Sequence, residues 1–141
     1  MMDFSAYIRL LQNTPDTCRG KPLQNEQLLR CRQFLHQQQI ALPPDTFIEL
    51  LKHFNGLILE DAAIFGILPE PGRFTELGAE NIRIAHPLRS DLIILGADGF
   101  DLLAYNAKYE VYQIIDEQDF EVLEEYEEFI PALNHILKII A

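Results

Sequence analysis

Asp98-Gly99-Phe100-Asp101 brings two carboxylates within three residues of one another, inside a stretch rich in turn residues. Such a pair is the chain's nearest approach to a site for a hard cation or for acid–base chemistry. The segment lacks the alternating ligands and the closing Glu of an EF-hand loop. Asp and Gly in a turn also have backbone work to do, since Asp accepts bonds from nearby amides and Gly supplies positive φ. His36, His53, His86 and His135 fall in separate segments with no HExxH-type spacing, and His53 and His135 read as surface or boundary histidines on helices. Ser5 and Ser90 sit in no nucleophile elbow. Gly96-x-x-Gly99 lacks the Lys and the helix of a phosphate loop. Cys18 and Cys31 are the only cysteines and read as free structural thiols, Cys31 on the apolar side of a helix. The residues support no enzyme, no cofactor and no metal site; a small hydrolase or metal enzyme built on Asp98 and Asp101 is the catalytic alternative.

Charge is the more informative property. The 141 residues carry a net charge of −11. Residues 1–97 hold 11 acids against 9 Lys/Arg, while residues 98–141 hold 11 acids against 2. That balance excludes a basic nucleic-acid footprint and favours a cationic protein partner. The plain alternative is an acidic face kept for solubility. The carboxylates of Asp98, Asp101, Glu110, Asp116, Glu117 and Asp119 are the candidate charged contacts. Tyr105, Tyr109 and Tyr112 are the candidate anchors, because tyrosine combines an apolar ring with a polar tip. Strand alternation predicts that at least one of Tyr105 and Tyr112 lies in the core.

These residues sit in or beside the stretch Leu92–Asp116, which reads as three short strands: Leu92–Leu95, Leu102–Tyr105 and Glu110–Ile115. Turns at Gly96–Gly99 and Asn106–Tyr109 join them. Such a meander has one face to bury, so helices must cover it. Phe4, Tyr7, Ile8 and Leu11 place a stripe on a first helix, capped by Asp3 and ended at Asn13-Thr14-Pro15. Residues 14–23 read as a loop. Leu28, Cys31 and Leu35 mark a second helix over Asn25–Gln39, and Phe47, Leu50, Leu51 and Phe54 a third, with Phe47 and Phe54 in the core. The third start is ambiguous between Pro44 as first helical residue and a Thr46-x-x-Glu49 capping box; Asn55-Gly56 is its expected stop.

Leu57–Leu59 and Ala63–Phe65 read as strands, residues 66–78 as a loop, and Glu80–Ala85 as a short helix or strand ended by Pro87. Phe120–Val122 reads as an edge strand. Tyr126, Phe129, Ile130, Leu133, Ile136, Leu137 and Ile140 stripe a last helix beginning near Glu127 or Glu128, so that Pro131 falls where amides need no acceptor. The run Glu124–Glu128 then favours the positive end of that helix. The expected fold is α+β, a mainly antiparallel sheet of about five or six short strands with helices packed against it, in one domain spanning 1–141. No run of about 18 apolar residues and no leader-like N-terminus occurs, which predicts a cytoplasmic protein without a membrane partner.

Leu42-Pro43-x-x-Thr46-Phe47-x-x-Leu50-Leu51-x-x-Phe54-Asn55-Gly56 resembles the opening of the SUKH superfamily in its fungal cell-wall-regulator-like branch. Leu92–Asp116 resembles that family's core and Phe120–Leu137 its closing strand and helix. The likeness covers residues 41–138, leaving 1–40 as an N-terminal helical extension. Pro43, Asn55, Gly56, Gly96 and Gly99 match its pattern at structural positions. Members frequently carry a tryptophan, absent here, with Phe47, Phe54 or Phe65 available to fill its space. The resemblance implies a binding module without chemistry of its own. Many bacterial members are immunity proteins that neutralise a toxin, often a nuclease, and fungal relatives are regulatory scaffolds. Neutralisation of a basic toxin domain by occlusion is the function expected, with a regulatory module outside any toxin system as the alternative.

Overall fold

The computed structural model describes residues 3–84 and 91–139. Its framework is a seven-stranded antiparallel sheet whose spatial order is the order of the chain: β1 (Thr17–Arg19), β2 (Leu57–Leu59), β3 (Ala62–Ile64), β4 (Leu92–Ala97), β5 (Asp101–Asn106), β6 (Val111–Asp116) and β7 (Val122–Tyr126). Five helices accompany it: α1 (Phe4–Asn13), α2 (Asn25–Gln37), α3 (Asp45–Leu51), α4 (Leu77–Ile84) and α5 (Phe129–Leu137). The α+β architecture is as expected, with one or two more strands than predicted. The additional strand is β1, in what reads as a loop. Three residues between Pro15 and Gly20 are too few to show alternation, yet they pair with β2 in register Thr17↔Leu59 to Arg19↔Leu57.

α1, α3 and α5 gather over one face of the sheet. Phe47 of α3 meets Phe129 of α5 edge-on at 6.3 Å, and Phe129 lies 5.2 Å from the Tyr112 ring of β6. The Tyr7 hydroxyl of α1 donates to Asn134 Oδ1 of α5 at 2.5 Å. Phe47 and Phe54 are buried as predicted, each burial contributing about 1.5–3 kcal/mol. The meander, however, does not have only one face to bury. Leu102, Leu103 and Ala104 are consecutive on β5 and all fully buried, so both faces of the central strands are covered. Their composition explains it: unbroken apolar runs suit strands buried on both sides, whereas one-sided strands alternate.

Several boundaries differ for identifiable reasons. Asp3 caps α1 as expected, its Oδ1 accepting from the Ala6 amide at 2.7 Å. α2 stops two residues before Gln39, which takes φ 57°. At α3 neither expected start is realised. Pro44 is the N-cap rather than the first helical residue, and the Thr46 hydroxyl bonds Tyr112 Oη. α3 also ends at Leu51, before Asn55-Gly56. Gly56 does take φ 110°, but in the chain reversal that follows the helix. β3 is Ala62–Ile64, one residue earlier than read. α4 is helical from Leu77, taking in the end of the segment read as loop; Ala85 to Pro87, with His86, lie outside the described residues.

The largest revision concerns the acids near the C-terminus. Val122–Tyr126 forms the edge strand and α5 begins only at Phe129, with Glu128 at its N-cap and no acid in its first turn. Glu124 and Glu125 therefore serve no helix dipole. Tyr126, read as helical, is on β7 and its hydroxyl bonds His135 Nδ1 at 2.8 Å. Pro131 is the third residue of α5, where its missing N–H leaves no bond unmade, as predicted. Phe129, Leu133, Ile136 and Leu137 are buried; Ile140 lies outside the described residues.

Pro43, Asn55, Gly96 and Gly99, positions named by the resemblance, and Asn81, which the sequence reading did not name, lie in turns, close contacts or buried sites. A Cβ on Gly96 would stand 2.7 Å from the Ala63 carbonyl oxygen, beside the β4 bulge between Ile94 and Gly96. Gly99 takes φ 97° in the β4–β5 turn, and Pro43 is buried. Asn55 is 4 % exposed and pairs through its carboxamide with the backbone of Ile67. Asn81 does the same for Ile94 where β3 no longer pairs with β4, accepting from the amide and donating to the carbonyl, both at 2.8 Å.

Candidate functional site: an acidic end of the sheet

Antiparallel strands place alternate turns at the same end of a sheet, so the β4–β5 and β6–β7 turns are neighbours. The Glu117 amide of one donates to the Phe100 carbonyl of the other at 3.0 Å, and Asp101 and Asp116 are direct cross-strand partners. Asp98, Asp101, Asp116, Glu117 and Asp119 are thereby brought together at one end of β5 and β6. Tyr105, Tyr109, Glu110 and Tyr112 lie toward the other end, roughly 14 Å or more away at about 3.4 Å per residue. The nine candidate contacts thus divide into two groups.

Within the acidic group, side chains have unequal freedom. Asp98 is 4 % exposed. Its Oδ1 accepts from the Phe100 and Asp101 amides at 3.0 and 2.8 Å, and its Oδ2 lies 3.5 Å from Lys138 Nζ. Burial opposes its charge, but the two amides and the Lys138 ammonium outweigh it and hold its carboxyl below the ordinary aspartate value. Asp98 is therefore a turn-builder and no free contact. Asp101 is pushed the other way, first by burial and then by the Asp98 and Asp116 charges. Asp116 Oδ1 accepts from the Gln118 and Asp119 amides at 2.8 and 3.2 Å, and Asp119 Oδ1 from the Glu121 amide at 2.9 Å. These aspartates shape the β6–β7 turn. Glu117, half-buried, and Glu121, exposed, make no side-chain hydrogen bond or ion pair among the described residues.

Phe100, missed in the sequence, stands 78 % exposed at the tip of the β4–β5 turn. An aromatic between Gly99 and Asp101, belonging to no alternating pattern, was the available signal. The acids also continue along β7, through Glu124 and Glu125 to Glu127 and Glu128, all exposed. Between Lys108 and Lys138 the chain contains nine Asp/Glu and no Lys or Arg. Eight of those nine follow one another from Asp116 to Glu128, through the β6–β7 turn and along the edge strand β7, while Glu110 lies at the other end of β6.

The tyrosine group is a weaker site. Tyr112 is 4 % exposed, bonded to Thr46 and stacked on Phe129, which makes it core and removes it as an anchor. Tyr105, half-buried, leans on Tyr112 at 5.1 Å. Burial raises both phenols above their ordinary value. Tyr109 is exposed in the β5–β6 turn, with Lys108 Nζ 5.4 Å from its ring centre, and Glu110 beside it takes φ 54°. Asn106 Oδ1 holds this turn by accepting from the Lys108 and Tyr109 amides.

Among the described residues no three His, Cys, Asp or Glu side chains are grouped to hold a metal ion. Two grooves exist. One of about 380 Å³ is lined by Lys21, Gln24, Gln27 and Glu70 with the loop prolines, and one of about 310 Å³ by Arg30, Cys31, Phe34 and Glu76. Cys31 lies against the second, but burial first and the Glu76 charge next push its thiol up to about 12, so it stays protonated and unreactive near neutral pH. Cys18 is also a free thiol, with Arg73 Nη2 3.3 Å from its sulfur. No helix among the described residues is long and apolar enough to cross a membrane. Compared with known proteins, the chain matches no family model and no curated protein.

Proposed function

We propose that this protein is a non-catalytic binding module, an immunity-type protein that neutralises a basic toxin domain by covering its cationic active site. The observation that carries this reading is the joining of two acidic turns, Asp98–Asp101 and Asp116–Glu121, around the exposed ring of Phe100. Glu117 and Glu121 beside an exposed aromatic have the form of a protein-recognition site: charge complementarity speeds encounter and excludes wrong partners, while the projecting ring of Phe100 supplies the anchor. The likeness of residues 41–138 to SUKH proteins supports the same reading, as does the acidic surplus of the C-terminal third. A cytosolic toxin target would place the protein in the cytoplasm.

The test is capture of partners from the host lysate at low salt and again near 0.5 M salt, where the screening length falls to a few ångströms. A single basic, toxin-like partner released by salt is the expected result. Glu117→Lys with Glu121→Lys should slow its association about tenfold at low salt. Capture of several ordinary cytosolic proteins, insensitive to salt, would replace immunity with a regulatory role.

A further inference from the structure

β7 is the last strand of the sheet, and among the described residues no strand pairs with its outer side. Val122, Leu123, Glu124 and Glu125 are all exposed, and among the described residues the backbone of Val122–Tyr126 bonds only within the β6–β7 ladder. An open edge is a template for one more strand. The opposite edge is less suited, because β1 has three residues and Arg19 Nη1 on it donates to the Leu11 carbonyl of α1 at 3.0 Å.

The side chains of β7 decide which strand it accepts. The register shifts between Ile114 and Ile115, making Leu123 the extra residue of a bulge. Glu124 makes no ion pair among the described residues, and Glu125 is held at 3.1 Å by Gln113 Nε2, a neutral partner that leaves its charge intact. A second copy pairing edge to edge would set these carboxylates against their own kind, which is destabilising for directly opposed like charges. A strand bearing Lys or Arg meets the opposite situation, and Val122 and Leu123, 42 and 46 % exposed, offer it apolar contact.

We propose that β7 receives an extended, basic segment of the partner as an eighth strand of the sheet. This rests on the proposed function in taking the partner to be a basic protein, and adds how it is held: backbone bonds along β7 give affinity, and Glu124 and Glu125 give the choice of a cationic strand.

The probe is an eight-residue peptide alternating Lys and Val, followed by fluorescence anisotropy at low salt, with hydrogen exchange on the full chain. Binding should fall at least tenfold when every peptide amide is N-methylated, which keeps the charge and removes the donors. It should fall similarly for the Glu/Val analogue and for Glu124→Lys, and the amides of Val122–Tyr126 should exchange more slowly in the complex. Equal binding of the methylated peptide, protection confined to the turns, or no binding of any peptide would overturn the inference. The two readings fail separately. Loss of partner capture in Glu117→Lys with Glu121→Lys, without protection of β7, leaves the binding function standing and removes the eighth strand. A β7-protected peptide complex with no basic partner in any lysate removes the function instead.

Discussion

The carboxamide of Asn55 exchanges two hydrogen bonds with the backbone of Ile67, donating to its carbonyl at 2.8 Å and accepting from its amide at 2.7 Å. It stands in for the strand that Ile67 does not have. Asn55→Ala would leave both backbone groups buried without partners, at about 1–3 kcal/mol each. Asn55→Asp keeps the acceptor but sets a carboxylate against the Ile67 carbonyl, and should cost at least as much. Urea denaturation at neutral pH measures both. If Asn55→Asp were as stable as the parent, the amide pairing would not be what holds this position.

Gly96 and Gly99 should fail for different reasons. Gly96→Ala puts a methyl 2.7 Å from the Ala63 carbonyl, forcing β3 and β4 apart at an expected cost of about 1–3 kcal/mol. Gly99→Ala meets nothing within 4 Å, and only its φ of 97° opposes it, for about 1 kcal/mol. Gly99→Asn tolerates positive φ better and should recover part of that loss. Thermal melts of the three variants separate steric crowding from backbone strain.

Tyr112 and Phe100 invert the roles their positions suggest. Tyr112→Phe loses the bond to Thr46 and should cost about 0.5–1.5 kcal/mol of stability with no change in partner affinity. Phe100→Ala should leave stability within about 0.5 kcal/mol and weaken the complex tenfold or more. A titration of each purified variant against the captured partner checks this.

Acid should act on Asp98 and Asp101 in opposite directions. Asp98 has a folded-state value below its unfolded one of about 3.9, so the stability it contributes is complete above that pH and is lost as pH falls through the folded value. Asp101 has a raised value; its ionised form is a cost to the fold, relieved as pH falls through that value. Asp98→Asn should therefore lower stability at pH 7 and flatten the decline below about pH 4. Asp101→Asn should raise stability at pH 7 and leave that decline in place. Stability measured from pH 2.5 to 7 gives the four limbs, the range chosen to bracket the usual aspartate value.

The central meander was legible because its punctuation is local: Asp98-Gly99 and Asn106 turn the chain with their own side chains and φ values. The joining of Asp98, Asp101, Asp116, Glu117 and Asp119 follows from strand alternation alone. What was hidden depends on partners far away in the chain. β1 exists only because β2 pairs with it, and Asn55 looks like a helix stop until Ile67 is placed beside it. Glu124–Glu128 was the harder case. Acids ahead of a helical stripe read as its N-terminus, yet β6 offers Gln113 and Tyr112 as partners for Glu125 and Tyr126, and the ladder prevails over the dipole. The turn role of Asp98 is legible from Asp98-Gly99, but its ion pair is not, because nothing in its neighbourhood announces Lys138, forty residues on.

The ordering of the sheet bears on how the molecule assembles. Four of the six pairings, β2–β3 and β4 through β7, close short stretches of chain with little entropy to overcome, whereas β1–β2 and β3–β4 close over intervening helices. The bond from Tyr7 to Asn134 is of another kind, spanning 127 positions and fastening the first helix to the last. Such a clasp, with its long loop to close, is expected to form late. Tyr7→Phe should therefore leave the refolding rate nearly unchanged and hasten unfolding about threefold to tenfold, the signature of a contact absent from the rate-limiting barrier.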